Sequence, residues 1–177
     1  RERIPLTVPL GPDQVWSADF MADALYCGVR FRTFNVLDDF NREGVAIEID
    51  TSITGERLIR LFSQIEAERG LPATLRTDNG PEFIGQAFLD WADDHGMTVQ
   101  HIQPGKPNQN AFIERFNRTY REEVLDLYLF EDLDQVREET HRWLRRYNES
   151  WPHDSLGDLS PLEYAKRARV STSELST

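Results

Sequence analysis

Three acidic residues stand where carboxylates are chemically useful. Asp19 lies inside the apolar run Val15 to Met21, V-W-S-A-D-F-M. A charge there is costly unless it faces a site or a partner. Asp78 lies in R-T-D-N-G-P-E-F, Arg76 to Phe83, after the apolar lead Ala73-Thr74-Leu75 and before the helix-start signal Gly80-Pro81. That puts its carboxylate at a strand end, beside the positive end of a helix dipole that favours the ionised form. Glu114 falls on a helical stretch whose polar stripe is Asn110, Glu114, Asn117 and Arg121. Carboxylates converging from two strands and a helix could hold two divalent ions about 3.5–4 Å apart. Such a pair activates the attacking oxygen and stabilises the leaving one in an in-line phosphoryl displacement. Carboxylate and water ligation suits Mg²⁺ or Mn²⁺ over zinc.

The same residues admit plainer readings. D-N-G is ordinary turn chemistry, in which Asp78 would only bond nearby amides. Asp38-Asp39 ends a strand and is either a competing ligand pair or another turn. Glu82 belongs in a first helical turn, where it favours the dipole. Asp93-Asp94 and Glu122-Glu123 read as solvated helix faces. His153 is a ligand, a phosphate contact or a structural residue.

The elements that must position these groups follow from periodicity. Residues 1–14, with Pro5, Pro9, Gly11 and Pro12, read as a linker. Val15 to Met21, Arg30 to Phe40 and Val45 to Asp50 read as strands of an antiparallel meander, with Val45, Ile47 and Ile49 on one face. Thr54 starts a helix striped by Leu58, Ile59, Leu61, Phe62 and Ile65, which Gly70 and Pro72 stop. Ala73 to Thr77 is a fourth strand. Pro81 to His95 is a helix with Phe83, Ala87, Phe88 and Trp91 inward, and Met97 to Ile102 is a fifth strand. Gln103 to Asn110 (Q-P-G-K-P-N-Q-N) has no periodicity and predicts a mobile loop. Helices follow over Ala111 to about Tyr128, Glu131 to Tyr147 and Pro161 to Arg169. The fold class is α/β: a five-stranded mixed sheet, three antiparallel strands then two further ones, flanked by helices. Residues 15–165 form one domain, and 166–177 are a C-terminal tail.

Composition sets bounds. The 177 residues suit a single core. No stretch approaches the roughly 18 unbroken apolar residues of a membrane span. One cysteine, Cys27, excludes an internal disulfide and a cysteine metal cage. The net charge is −11, whereas DNA-binding domains are usually basic. A carboxylate metal site is itself acidic, and a further segment could carry the basic surface.

Five stretches, taken together, resemble the DDE transposases and retroviral-type integrases, which have an RNase H-like core. The nearest likeness is to the integrase core domain of bacterial insertion-sequence transposases. The stretches are W-S-A-D-F around Asp19, V-L-D-D-F-N-R-E from Val36, R-T-D-N-G-P-E-F around Asp78, Q-P-G-K-P-N-Q-N-A-F-I-E-R-F-N around Glu114, and Y-N-E-S-W-P-H from Tyr147. Thirty-five residues separate Asp78 from Glu114, the spacing of this branch. The resemblance implies that Asp19, Asp78 and Glu114 are the catalytic and metal-binding triad, holding two Mg²⁺ ions for which Mn²⁺ substitutes. It implies cleavage at transposon ends, then attack of the freed 3′-hydroxyl on target DNA with no covalent protein–DNA intermediate. It further implies a homo-oligomer, at least a dimer, on DNA. It implies a bacterial cytoplasmic setting at the nucleoid, and an N-terminal helix-turn-helix segment in a longer protein.

Other family-like positions have physical readings. Asn79 and Gly80 shape the turn that aims Asp78. Lys106 offers a point charge to a phosphate. Asn110 and Asn117 orient Glu114 or contact DNA. Arg118 and Arg121 grip phosphates or simply pair with Glu114 and Glu122 along the helix. His153 joins them as a candidate DNA contact. Two positions depart from the pattern. Trp151 stands where relatives often have Arg. Arg115 follows Glu114 where Ser is also common, and is expected to face away from the site. The alternatives to a transposase core are an RNase H-like nuclease that cuts without joining, and a catalytically idle DNA-docking or assembly module.

Overall fold

A computed structural model describes residues 8–78, 84–102 and 110–176. Asn79, Gly80, Pro81, Glu82, Phe83 and Lys106 lie outside that set, as do most of the loop expected over 103–110 and the first half of the linker. Among the described residues there are five strands: β1 (Val15–Ala24), β2 (Arg30–Asp38), β3 (Gly44–Asp50), β4 (Thr74–Thr77) and β5 (Thr98–His101). They form one mixed sheet in the order β3-β2-β1-β4-β5. β1 pairs antiparallel with β2 and parallel with β4. Parallel pairing sets Ala18 beside Thr77, so the next residues along the two chains, Asp19 and Asp78, emerge side by side.

Alternation along β1 and β2 divides the core in two. Trp16, Ala18, Phe34 and Val36 face α1 (Gly55–Arg69) and α2 (Gln86–Asp94), against Leu58, Phe62 and Phe88. Phe31 and Leu37 face α3 (Ala111–Tyr120) and α4 (Leu133–Glu149), against Ile113, Phe116, Tyr120 and Trp143. The sheet is thus sandwiched between two helical layers. Asp19 shares its β1 face with Ser17 and Met21, on the α3–α4 side.

The helix starts are written in the sequence. Thr54 accepts from the Arg57 amide, and Asp132 from the Gln135 amide. Ser160 and Glu163 form a capping box for α5 (Pro161–Leu175), with Pro161 at its start. Asn148 clamps the start of β3 through both backbone groups of Gly44. The Gly44 N–H donates to its Oδ1 at 2.8 Å, and its Nδ2 donates to the Gly44 carbonyl at 2.9 Å. A Cβ on Gly44 would run into Leu144 and Phe116.

Four local expectations need correcting. A register shift between Val36 and Leu37 leaves Val45 outside the ladder, so Val45 packs with the α1–α2 core while Ile47 and Ile49 join the other. Ala87 is exposed, and Ala92 takes the inward place one turn after Phe88. α3 does not run on to Tyr128: it passes into a π-helical turn over Arg121–Leu125. α5 continues to Leu175 rather than ending at Arg169. Among the described residues no helix is long and apolar enough to cross a membrane.

Candidate active site

Asp19 is the centre of the site. Its Oδ1 accepts from the Phe20 amide at 2.8 Å, and its Oδ2 accepts from Asn117 Nδ2 at 3.0 Å. Its carboxyl also stands close enough to Asp78 to feel that residue's charge. Burial, then the charge and hydrogen bond of Asp78, then the charge of Glu114, push the Asp19 pKa up to about 7. The Phe20 amide pulls the other way and does not prevail. Asp78 and Glu114 are exposed, while Asp19 is partly buried.

The structure therefore sets Asp19 and Asp78 just past neighbouring ends of paired strands and puts Glu114 within electrostatic reach, in the first turn of α3. Acids from two strands and a helix share the carboxyl end of the parallel strand pair. An all-oxygen donor set suits a hard cation. Among the described residues, no three His, Cys, Asp or Glu side chains are gathered tightly enough to hold a metal as they stand.

The polar stripe of α3 divides its labour. Asn117 reaches Asp19 rather than Glu114. Arg121 donates to Asp23 Oδ2 at 3.3 Å and to the Ala22 carbonyl at 3.1 Å, which ties it to the end of β1. Asn110 occupies the cap position of α3 without capping it. It is buried, and neither of its side-chain polar atoms has a hydrogen-bond partner. Arg118 is exposed. His153 does not join the acids. It packs edge-on against Tyr147, and its backbone N–H donates to the Leu159 carbonyl at 3.0 Å.

The competing acids separate cleanly. Asp38 and Asp39 are fully buried near the start of β1, where Asp38 pairs in register with Trp16, whereas Asp19 pairs with Asn35. Asp38 accepts from the amides of Asp13 and Phe40, both at 2.9 Å. Asp39 accepts from the Ser17 hydroxyl at 2.9 Å and lies 3.6 Å from Arg76. The turn reading holds for Asp38, which takes the Phe40 amide two residues on, whereas Asp39 is held by partners far along the chain. Asp93, Asp94 and Glu122 are exposed, as solvated faces should be. Glu123 departs from that expectation, because it accepts from Trp143 Nε1 at 2.6 Å.

One positioning residue escaped the sequence reading. Asn35, buried in β2, donates to Asn117 Oδ1 at 2.8 Å, so Asn35, Asn117 and Asp19 form a chain of hydrogen bonds across the sheet and helix. The available signal was a lone amide inside the apolar strand T-F-N-V-L.

A five-stranded mixed sheet in the order β3-β2-β1-β4-β5 with helices on both faces is the layout of an RNase H-like integrase core. The chain belongs to the integrase core domain family, whose description matches residues 9–107 and again residues 95–161. It is 42% identical over 169 residues to a 39.2 kDa protein of insertion element IS476 from Xanthomonas euvesicatoria, which covers 96% of this chain and 49% of that one. It is 42% identical over 170 residues to a 31.7 kDa protein of insertion element IS407 from Burkholderia multivorans, covering 96% and 61%. The chain thus spans about half to three-fifths of the length of these relatives. Among solved structures, the HTLV-2 integrase catalytic core domain in complex with magnesium matches with a TM-score of 0.67. That match runs at 19% identity over 88% of this chain and 98% of that one, and it speaks to the fold.

Proposed function

We propose that this chain cleaves transposon ends and joins the freed 3′-hydroxyl to target DNA, using Asp19, Asp78 and Glu114 as its metal-binding triad. The observation that carries this reading is the placement of Asp19 against Asp78 at neighbouring strand ends, with the charge of Glu114 felt by the same carboxyl. The triad would hold two Mg²⁺ ions, for which Mn²⁺ substitutes. Such ions, when bound, activate an attacking oxygen and stabilise a leaving one. The HTLV-2 core, solved with magnesium, supports the choice of metal.

The chain's own residues then have distinct tasks. Asp19 must give up its proton for its carboxylate to serve as a ligand. Asn117, itself held by Asn35, fixes one oxygen of Asp19, and the Phe20 amide holds the other. Arg118 on α3 and Arg121 in the π-helical turn that follows it supply positive charge for DNA phosphates, with Lys106, Asn110 and His153 as further contacts. The divalent ions offset part of the −11 net charge that would otherwise repel the strand. A homo-oligomer, at least a dimer, assembles on DNA in this reading. The helix-turn-helix segment belongs to a longer protein, and the setting is the bacterial nucleoid.

A joining assay tests the reading. Pre-cut DNA with a 3′-hydroxyl end is offered with a supercoiled plasmid and Mn²⁺ to the wild type and to Glu114→Gln. Joined products from the wild type, reduced by at least about 10²-fold in the variant, are expected. Nicking without joining would move the assignment to a nuclease, and equal joining by both proteins would remove Glu114 from the site.

A further inference from the structure

Beside the acidic site, on the other flank of α3, lies a cleft between that helix and the returning segment 151–155. A cavity of about 260 Å³ opens there, lined by Arg115, Thr119, Trp151, His153 and Ser155 among others. A smaller one of about 80 Å³ adjoins it, shares Arg115, His153 and Ser155, and reaches Arg42. We propose that this cleft is a phosphate-binding site for a DNA strand, with Arg115, His153 and Ser155 around the phosphate and Trp151 against the adjoining sugar or base. The inference rests on the DNA-processing reading above and adds a second point of contact to it.

Three observations point to an anion. Arg115 is exposed, and its guanidinium has no hydrogen bond or ion pair among the described residues, in a chain where acids outnumber bases by 31 to 20. The Nε2 of His153 is buried without a hydrogen-bond partner. Arg42 approaches from behind, held by the Asp39 and Phe40 carbonyls and stacked 3.6 Å over the Phe112 ring, so a second cation is fixed near the same imidazole. Two acids also line the larger cavity. Glu123 is engaged by Trp143 Nε1, and at the imidazole burial, then the two arginines, outweigh Asp154 and hold the His153 pKa below its ordinary value.

The size and setting favour a strand over a lone ion. At the roughly 30 Å³ that a water occupies in the liquid, the larger cavity exceeds what one phosphate would displace. Trp151, 41% exposed at the rim, offers an indole face to a sugar or base. Glu114 and Arg115 are consecutive on α3 and so project roughly 100° apart around its axis. A strand with one phosphate at the acidic site can therefore lay another against Arg115.

The test is DNA binding in EDTA, where the triad carries no metal and joining cannot occur. Anisotropy of a labelled duplex is followed between about 50 and 200 mM salt for the wild type, Arg115→Gln and Arg142→Gln. Arg142 is a control, because it pairs on the far helix with Glu138 and Glu139. Arg115→Gln should weaken binding about 5-fold and reduce the slope of log affinity against log salt by about 1, with the control unchanged. The His153 ring resonances should move on addition of DNA to the wild type and stay still in Arg115→Gln. Unchanged affinity and slope in Arg115→Gln, or no binding by the wild type, would overturn the proposal. So would ring shifts with millimolar inorganic phosphate alongside unchanged DNA binding by Arg115→Gln, which would mark a site for free phosphate. Because joining is read separately through Glu114→Gln, failure of either assignment is visible without the other.

Discussion

Two groups of acids flank β1, and they differ in the company they keep. At the start of the strand, Asp38 and Asp39 are fully buried, and burial pushes each carboxyl up to about 6. Further along, Asp19 is pushed up to about 7. Burial is the largest cause in all three, so the shifts alone do not tell a site from a corner of the fold. The neighbours do. Asp38 is answered by two amides, and Asp39 by a hydroxyl and a guanidinium, all from this chain. Asp19 takes the Phe20 amide and Asn117 Nδ2, but it is only partly buried and feels the charges of Asp78 and Glu114, two acids that are themselves exposed. Like charges set together with solvent access leave a demand for a cation that the protein does not itself meet.

That contrast can be broken experimentally. The largest effect is expected at the closed group. Asp38→Ala strips acceptors from the Asp13 and Phe40 amides and should cost roughly 2–3 kcal/mol in urea unfolding, with or without Mg²⁺. A loss that Mg²⁺ relieves would place Asp38 in the metal site and erase the distinction.

A smaller effect concerns pH. A carboxyl whose folded pKa lies above its unfolded value near 3.8 favours the native state at low pH. That contribution is full below about 4 and is lost as pH rises through the folded value. For Asp38 and Asp39 the loss should finish just above pH 6, and for Asp19 it should continue through about 7. Stability measured with and without saturating Mg²⁺ should therefore diverge as pH rises from 6 to 8, the metal-bound protein gaining. Parallel curves over that range would mean that Asp19 does not exchange its proton for a cation.

Much of the candidate site can be read from the sequence. Asp19 announced itself as a charge in an apolar strand, Asp78 by the strand-to-helix turn, and Glu114 by the four-three-four spacing of its stripe. What stayed hidden depends on register. Asn35 meets Asn117 across 82 residues, and no local pattern encodes that meeting. The shift at Val36 and Leu37 moves Val45 to the other core without any mark in composition, since a bulge needs no special residue there. The π-helical turn after Tyr120 keeps an ordinary helical pattern of apolar residues, so its altered hydrogen bonding is invisible to periodicity. The cleft at Arg115 exists only because segment 151–155 folds back onto α3, a tertiary event that joins residues forty positions apart.

The most direct measurement is Mn²⁺ binding by calorimetry at pH 7, run in two buffers of different ionisation enthalpy, for the wild type and Asp78→Asn. The wild type should bind Mn²⁺ and release protons as it does so, because the raised Asp19 carboxyl must ionise to serve as a ligand. Asp78→Asn should bind far more weakly and remain folded, because it removes one charge from a cluster of like charges. Equal binding by both proteins, or binding without proton release, would contradict the assignment of Asp19 and Asp78 as partners in one metal site.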